Sequence, residues 1–254
     1  MPVLFIGHGS PMNVVLKNDF TESLRKLGQN LPRAEVILVV SAHWLTRGTF
    51  VICEPKPKQI YDFYGFPDEL YSVSYHPAGT PETACRVTQA VKNATVHCES
   101  AWGLDHASWA ILHHLYPDAN IPVFEMSLDA TQDESHHYQL ARELSDLRNE
   151  GVLIIGSGNL VHNLRLTETD IYAAPVEWAV EVDERMKALL LRRRHEELIL
   201  RQGLGGSASL AIPSNEHYLP MLYTIALQEQ DEEISFTFEG FQNGTISMRS
   251  FRIG

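Results

Sequence analysis

Short apolar runs bounded by glycine, serine or proline recur along the chain and define its predicted strands. The clearest are at residues 3–7, 36–42, 122–128 and 152–156. Apolar runs of this length are typical of strands that are buried on both faces of a parallel sheet. Segments at 50–53, 234–238 and 245–253 predict three further strands.

The segments between these strands predict helices. They are expected at residues 20–29, 81–92, 106–116, 134–149 and 175–202, and in a final segment that ends near residue 227. Pro81 and Pro220 fit the first turn of their helices, where a missing N–H group costs no hydrogen bond. Strands that alternate with helices predict an α/β fold with a mainly parallel central sheet and helices on both faces.

Length and composition favour one large domain that spans residues 1–254. The chain is 44% hydrophobic, and no linker rich in proline, glycine or serine divides it. An α/β chain of this length can bury about 70–75% of the surface that its unfolded form exposes. The net charge of −12 argues against nucleic acid as a partner.

The cysteines and the hydropathy pattern bear on the cellular compartment. Cys53, Cys85 and Cys98 are odd in number and form no C-x-x-C pair. We therefore expect reduced thiols, as in a cytoplasmic protein, rather than a disulfide framework. No secretory signal and no segment that could span a membrane is expected.

Three histidines stand where predicted strands end. His8 follows the first strand, His43 follows 36–42, and His162 comes shortly after 152–156. Ligands of parallel sheets collect beyond the carboxyl ends of the strands. Neighbouring strands lie about 4.8 Å apart, and two imidazoles that each reach about 2.1 Å to one ion can share it across that gap. His8 and His43 therefore predict a mononuclear metal site, and imidazole suits zinc, copper, iron or nickel.

The third ligand is expected from another part of the chain. Glu216 would complete the two-histidine, one-carboxylate face of non-haem Fe(II) oxygenases. His217 would give the all-imidazole site that zinc hydrolases also use. Periodicity leaves both open, and a helix-terminal charge together with a surface histidine is the simpler alternative.

His162 lies in a glycine-rich segment, 156–163, whose spacing is not that of a dinucleotide-binding loop. A histidine near a metal is a candidate fourth ligand or a general acid/base, since its usual pKa near 6.5 suits proton transfer. A structural loop histidine is the alternative.

Other residues have weaker patterns. The aromatic loop 61–67 is too apolar for a simple connector, and we expect it to cover another part of the molecule. Asp105 is explained as a helix cap, and His106 either faces a pocket or bonds its own helix. The two members of each adjacent histidine pair, 113–114 and 136–137, cannot both face one site on a helix. We therefore expect all four histidines on the surface. The arginine triplet 192–194 is expected on a solvated helix end.

Six segments in order resemble one family, the 4,5-DOPA extradiol dioxygenase-like proteins of the class III extradiol enzymes (the protocatechuate 4,5-dioxygenase B-subunit type). The resemblance runs along nearly the whole chain. The segments are LFIGHGSPMN (4–13), VSAHW (40–44), YDFYGFP (61–67), WGLDH (102–106), SGNLVHNL (157–164) and EHYLP (216–220).

The resemblance implies that His8, His43 and His217 bind the metal. It also implies that His162 lies beside the metal as acid/base or as a further ligand, and that His106 is a histidine on the substrate side of the pocket. Class III enzymes typically use glutamate as third ligand, and His217 at that position leaves the metal open between Fe(II) and Zn(II). Substrate contacts are expected from His106 and from three aromatic residues: Tyr61, Phe63 and Tyr218.

The implied activity is extradiol cleavage of a catechol such as DOPA by O₂, giving a yellow semialdehyde. One divalent metal is expected per chain, Fe(II) for activity with Zn(II) as an alternative occupant, because zinc has no accessible redox change. A zinc hydrolase and a non-catalytic metal-binding protein on the same scaffold are the alternatives. No nucleic-acid or membrane partner is expected, and a homo-oligomer is compatible with the sequence.

Overall fold

A computed structural model describes all residues, 1–254. Ten strands are present: β1 (Val3–Gly7), β2 (Val36–Thr46), β3 (Thr49–Ile52), β4 (Val96–Glu99), β5 (Val123–Asp129), β6 (Val152–Gly158), β7 (Ile234–Phe238), β8 (Phe241–Gln242), β9 (Ile246–Ser247) and β10 (Ser250–Ile253). Ten helices accompany them: α1 (Asp19–Asn30), α2 (Asp68–Tyr71), α3 (Pro81–Ala90), α4 (His106–Leu115), α5 (Glu134–Arg142), α6 (Ser145–Asn149), α7 (Glu177–Leu191), α8 (His195–Ile199), α9 (Ala208–Ala211) and α10 (Leu219–Ala226). Short 3₁₀ helices lie at Pro11–Val14 and Leu164–Leu166.

Eight strands form the central sheet, in the order β4-β3-β5-β2-β6-β1-β10-β7. The four central strands β5, β2, β6 and β1 run parallel. Antiparallel pairs join β3 to β5, β1 to β10 and β10 to β7. β8 and β9 form a separate hairpin. The carboxyl ends of β1, β2 and β6 therefore meet at one edge.

Successive residues of each central strand pack on opposite faces of the sheet. In β1, Val3 and Phe5 join a core that includes α3, α5, α7 and α10. Leu4 and Ile6 join a second core with α1 and α4. Burial on both faces explains why the strands read as continuous apolar runs. The predicted α/β class, with a mainly parallel sheet and helices on both faces, is confirmed.

Several predicted elements are interrupted. The helix expected over 175–202 ends at Leu191, and Arg193 adopts a left-handed φ of 54° before α8 begins. The Arg193 guanidinium donates to the carbonyls of Glu229 and Gln230, which fixes the turn. The helix expected over 134–149 is divided into α5 and α6, and the strand expected over 245–253 is divided into β9 and β10. Periodicity continues across such breaks, so the sequence pattern does not reveal them.

The expectation of three reduced thiols is wrong in this structure. Cys53 and Cys98 form a disulfide with a Cα–Cα distance of 5.5 Å, and Cys85 is free and exposed. The pairing follows from the parallel register of β3 and β4, which sets Val51 opposite Cys98. Separation by 45 residues hides this proximity in the sequence. No helix of the structure has the length and apolar character needed to cross a membrane.

Candidate metal centre

Three histidines from distant parts of the chain converge at the carboxyl edge of the central strands. The ring centroid of His8 lies 5.2 Å from that of His43 and 5.3 Å from that of His217. The rings of His43 and His217 are 5.0 Å apart. One ligand atom from each residue lies within 4.8 Å of the others. The structure thus brings together the three residues that the resemblance implies as ligands.

The turn after β1 directs His8 into this cluster. His8 still pairs with β6, since its N–H donates to the Gly158 carbonyl at 3.1 Å. The chain then turns sharply at Gly9, whose φ of 61° favours glycine. Asn13 donates its side-chain N–H to the His8 carbonyl at 3.2 Å and so anchors the turn.

An irregular register presents His43. β2 and β5 pair regularly up to Val40 and resume only at Leu45. Such bulges re-aim side chains near functional sites. The His43 N–H donates to the Ser41 hydroxyl at 3.1 Å within this irregular stretch. Ser41 in turn donates to Oδ2 of Asp105 at 2.7 Å.

Close approach of a helix to β6 brings in His217. The segment before α10 crosses β6 at Gly158, where an added Cβ would lie 2.2 Å from the His217 carbonyl oxygen. That carbonyl accepts the N–H of Asn159 at 2.9 Å. The glycine in this sequence is therefore needed for His217 to reach the sheet edge.

The hydrogen bonds of His8 define which ring nitrogen is free. The Ser157 hydroxyl donates its only proton to the Ala107 carbonyl at 2.6 Å. Nδ1 of His8 lies 3.1 Å from the same hydroxyl oxygen, so Nδ1 must carry the donated proton. Nε2 of a neutral His8 therefore presents a lone pair, and a hydrogen bond to the opposite ring nitrogen prepares an imidazole to bind a metal in this way.

Asp62 plays the corresponding part for His43 and for His106. Its Oδ2 atom lies 3.2 Å from Nδ1 of His43 and 2.8 Å from Nδ1 of His106. Its Oδ1 atom accepts the backbone N–H of His106 at 2.8 Å. Although burial acts in the opposite direction, these hydrogen bonds hold the pKa of Asp62 well below its usual value. The ionised carboxylate accepts from Nδ1 of both rings and leaves their Nε2 atoms free.

The geometry between His8 and His43 fits a cation. Their Nε2 atoms are 3.3 Å apart, and two bare lone pairs at that distance repel unless a proton or a metal ion lies between them. Two nitrogens bound to one ion at about 2.1 Å are about 3.0–3.4 Å apart at ordinary coordination angles. Burial alone would lower the pKa of His43, but Asp62 and the charge of Asp105 outweigh it and raise that pKa. Burial and the neighbouring imidazoles hold the pKa of His8 well below its usual value.

His217 has an incompletely satisfied environment. Its Nδ1 atom is buried, and its nearest acidic oxygen is Oε1 of Glu216 at 3.5 Å, which is too long for a good hydrogen bond. Burial lowers the pKa of His217 to about 4, so the ring is neutral at pH 7. Glu216 lies in a different group, with His162 and His217, rather than with His8 and His43. His217, and not Glu216, is therefore the residue whose ligand atom lies within 4.8 Å of those of His8 and His43.

His162 stacks on His217, with ring centroids 3.5 Å apart and an angle of 11° between the planes. Its imidazole is half-buried and makes no hydrogen bond within the protein, so both ring nitrogens are available. Burial and the nearby His217 and His43 lower the pKa of His162 to about 2, which keeps the ring neutral.

The histidines line a cavity of about 390 Å³. Its apolar wall is formed by four side chains: Phe63, Phe66, Leu164 and Ile246. Its remaining lining residues are His8, Gly9, Ser10, Pro11, His43, Asp62, His106, His162, Thr167, His217 and Asn243. A cavity of this size with one apolar wall and one polar end suits a small aromatic ligand.

Two expected substrate contacts lie elsewhere. Tyr218 belongs to the buried core, and its hydroxyl donates to the Leu198 carbonyl at 2.8 Å. The prediction that Tyr218 contacts substrate is therefore wrong. The start of α10 turns His217 to the cavity and the next side chain away from it. Tyr61 packs behind Phe63, at a ring distance of 5.9 Å, and does not line the cavity. Phe63 and His106 do line the cavity.

Asp62 is the main residue that sequence reasoning missed. An acid inside the aromatic loop 61–67 was the available signal, because a carboxylate among apolar residues needs a partner. Ser157, Thr167 and Asn243 gave no comparable signal, since single neutral polar residues are ordinary near strand ends and in loops.

Two histidines expected on the surface are buried. His114 donates from Nε2 to the Asn13 carbonyl at 2.9 Å. His137 donates from Nε2 to the Asp129 carbonyl at 3.2 Å and accepts the Tyr223 hydroxyl at Nδ1. Adjacent helical residues face different directions, so one of each pair reaches the core while its neighbour stays half-buried.

Asp105 stands at the N-cap position of α4, as expected, but its side chain does not cap the helix. It accepts from Ser41 instead. The cap explanation is therefore wrong for its carboxylate, which turns into the protein beneath the histidines.

Comparisons with known proteins show what the chain is similar to. The family model described as the catalytic LigB subunit of aromatic ring-opening dioxygenase matches residues 2–243. A 4,5-DOPA dioxygenase extradiol of Escherichia coli (strain K12) is 42% identical, over 100% of this chain and 95% of the relative. A protein of the same name from Beta vulgaris is 34% identical, over 98% and 94%. A crystal structure of an uncharacterized protein from Escherichia coli K12 superposes with a TM-score of 0.87, at 38% identity and full coverage of both chains.

Proposed function

The chain belongs to the family of catalytic LigB subunits of aromatic ring-opening dioxygenases and is an extradiol dioxygenase, and from this premise we propose its metal, substrate and residue roles. One divalent metal is held by His8, His43 and His217. The substrate is a catechol, with DOPA as the first compound to test because relatives carry that name. His162 and His106 act on the substrate.

The observation that carries the proposal is the convergence of three imidazoles, of which His8 and His43 turn Nε2 toward each other while Nδ1 is engaged by a hydrogen-bond partner. Ser157 fixes Nδ1–H of His8, and Asp62 fixes Nδ1–H of His43. The orphaned Nδ1 of His217 is consistent with a site whose remaining partner is an ion. Three imidazoles leave the full charge of a divalent ion available to a dianionic catecholate.

When bound, Fe(II) would supply the redox chemistry that passes electrons from the catechol to O₂ and would end the reaction as Fe(II). The protein supplies position and proton transfer. The apolar wall of Phe63 and Ile246 contacts the ring face and limits water around it. A catechol that reaches the three ligands then has its hydroxyl groups beside His106 and His162.

His162 is the proposed proton acceptor. The negative charge of a catecholate beside it would raise the low pKa of this unbonded imidazole, so that it takes the proton that a catechol hydroxyl loses and returns it to the opened product. Proton transfer by a positioned group is worth about 10²- to 10⁴-fold in rate. His106 has Nδ1–H engaged by Asp62, so its Nε2 atom is an acceptor for the second hydroxyl.

Metal identity decides whether the reaction occurs. Three imidazoles suit both Fe(II) and Zn(II). Zinc has no accessible redox change, so the zinc form should bind catechols without turning them over. The same donor set also occurs in zinc hydrolases, which makes ester hydrolysis the competing outcome.

The test is anaerobic reconstitution with Fe(II), addition of DOPA or unsubstituted catechol, and then admission of O₂. We expect oxygen uptake with a yellow product, and loss of at least 100-fold in kcat in His162→Ala while Fe(II) binding persists. His43→Ala should lose the metal itself. His136→Ala, on α5 and outside the cavity, is the matched control. Hydrolysis of model esters by the zinc form, with no oxygen uptake by the iron form, would reject the proposal.

A further inference from the structure

The polar rim of the cavity carries no cation. Apart from the histidines and Asp62, its polar side chains are Ser10, Thr167 and Asn243, all neutral. No lysine or arginine lines the cavity. Arg165 is next to Leu164 in the 3₁₀ helix, but its side chain is exposed and is not part of the lining.

Two of these rim residues present acceptors to the cavity. The Thr167 hydroxyl donates its only proton to the Leu164 carbonyl at 3.0 Å, so its oxygen can only accept. Asn243 donates from Nδ2 to the Glu168 carbonyl at 2.8 Å, which fixes the orientation of its amide. Its Oδ1 atom accepts no hydrogen bond within the protein. The hydroxyl of Ser10 accepts from the Met12 N–H and retains the one free hydroxyl proton of the rim.

Backbone hydrogen bonds hold these acceptors in place. The Glu168 N–H donates to the Asn243 carbonyl at 3.0 Å, and the Asn243 N–H donates to the Ile171 carbonyl at 3.0 Å. The Val176 N–H donates to the Gly244 carbonyl at 3.0 Å. The segment that carries Thr167 and the hairpin that carries Asn243 therefore form one wall, and its acceptors are positioned before a ligand arrives.

The charges of the rim and of the whole protein also favour a cationic ligand over an anionic one. A carboxylate brought to this rim loses part of its hydration and meets no cation, and the few neutral donors there do not replace the lost water. An ammonium group, in contrast, donates three hydrogen bonds and meets acceptors here. The net charge of −12 also attracts cations and repels anions during approach.

We propose that this site selects catechols whose side chain carries a protonated amine over catechols whose side chain carries only a carboxylate. The inference rests on the proposed function, since it assumes that the hydroxyl end of the substrate lies at the histidines. A zwitterionic side chain such as that of DOPA should fall between the two.

Four catechols of the same ring test the selectivity: dopamine, DOPA, 4-ethylcatechol and 3-(3,4-dihydroxyphenyl)propanoate. Dopamine and the propanoate have side chains of matched length and opposite charge, and 4-ethylcatechol is the neutral reference. With the Fe(II) protein, kcat/KM for dopamine should exceed that for the propanoate at least tenfold. The dopamine-to-propanoate ratio of kcat/KM should become smaller at high ionic strength, because salt screens the long-range electrostatic attraction between protein and substrate. The Zn(II)-loaded protein should bind the same compounds without turnover, with the lowest Kd for dopamine and the highest Kd for the propanoate.

Leu164 offers a charge scan within the wall. Its side chain is 67% exposed, so a charged replacement does not have to be buried. Leu164→Arg should lower the dopamine-to-propanoate ratio at least fivefold, and Leu164→Glu should raise it. Leu164→Gln is the neutral comparison and should keep the wild-type ratio. Arg165→Gln should also keep it, because Arg165 lies outside the lining.

The possible failures are distinguishable. If all four catechols are cleaved and the propanoate is used as well as dopamine, the selectivity is rejected while the dioxygenase function stands. An unchanged ratio in both Leu164→Arg and Leu164→Glu rejects it as well. If no catechol is cleaved by the Fe(II) protein, the proposed function fails and the selectivity fails with it.

Discussion

The backbone N–H of Asp105 donates to Oε2 of Glu125 at 3.2 Å, and both acidic residues are fully buried beneath the histidine cluster. Ser108 and Trp102 also donate to the Glu125 carboxyl group. No arginine or lysine bonds either acid. Burial, followed by the charge of Asp105, raises the pKa of Glu125 well above its usual value. Glu125 therefore stays protonated while Asp105 supports Ser41 and, through it, the backbone of His43.

Replacement of Glu125 by glutamine should change how stability depends on pH. The folded state retains a proton that the unfolded state releases above a pKa of 4.5, so wild-type stability should fall as pH rises through that value. The slope is limited to about 1.4 kcal/mol per pH unit for one proton. Urea unfolding of the metal-free protein at pH 5 and pH 8 should show Glu125→Gln gaining stability relative to wild type at the higher pH. The exposed Glu35→Gln is the control, and equal changes in both variants would contradict the assignment.

Removal of the Ser157 hydroxyl should weaken the metal site without unfolding the protein. Ser157→Ala deprives Nδ1–H of His8 of its acceptor, so the ring no longer holds Nε2 free. Loss of such a partner typically costs about 10- to 100-fold in metal affinity. Zinc affinity measured by chelator competition tests this. Ser127→Ala removes an equally buried hydroxyl on β5 and should leave the zinc affinity unchanged. Equal zinc affinities in the two variants would contradict the role of Ser157 in fixing the proton on Nδ1 of His8.

Acidification should destabilise the protein through His137. Burial lowers its pKa to about 4 from the usual 6.5. The unfolded state therefore binds a proton first as pH falls, and stability present above pH 6.5 is lost between there and about pH 4. The loss from this residue is about 3 kcal/mol. His137→Gln should flatten urea-unfolding stability between pH 7 and pH 4.5, whereas His136→Gln, on the same helix, should keep the wild-type slope.

Reduction of the Cys53–Cys98 disulfide should lower stability by about 2–4 kcal/mol, because the bond restricts the unfolded chain. Thermal unfolding with and without dithiothreitol measures the effect. Cys53→Ser should be insensitive to the reductant, and Cys85→Ser should behave as wild type. Titration of three free thiols in the unreduced, denatured protein, instead of one, would show that the bond does not form.

The central strands β1, β2, β5 and β6, and the placement of His8 and His43 near strand ends, were predictable from the sequence, whereas β4 was not. A strand buried on both faces must be apolar, and polar residues stand where its regular pairing stops. His8 directly follows β1, and His43 lies in the irregular stretch between Val40 and Leu45 of β2. The break between α7 and α8 at Arg193 was not predictable. It depends on hydrogen bonds from the Arg193 side chain to the carbonyls of Glu229 and Gln230, which lie far along the chain.

The sequence by itself determined the fold class and most members of the histidine cluster, because strand burial and strand ends are local properties of the pattern. Only the tertiary structure decided that Asp62 joins His43 to His106, that His217 rather than Glu216 completes the cluster, and that Tyr218 turns into the core. Each of these depends on which surfaces meet after the chain has folded. A side chain's partner is then set by packing between segments that no local periodicity connects.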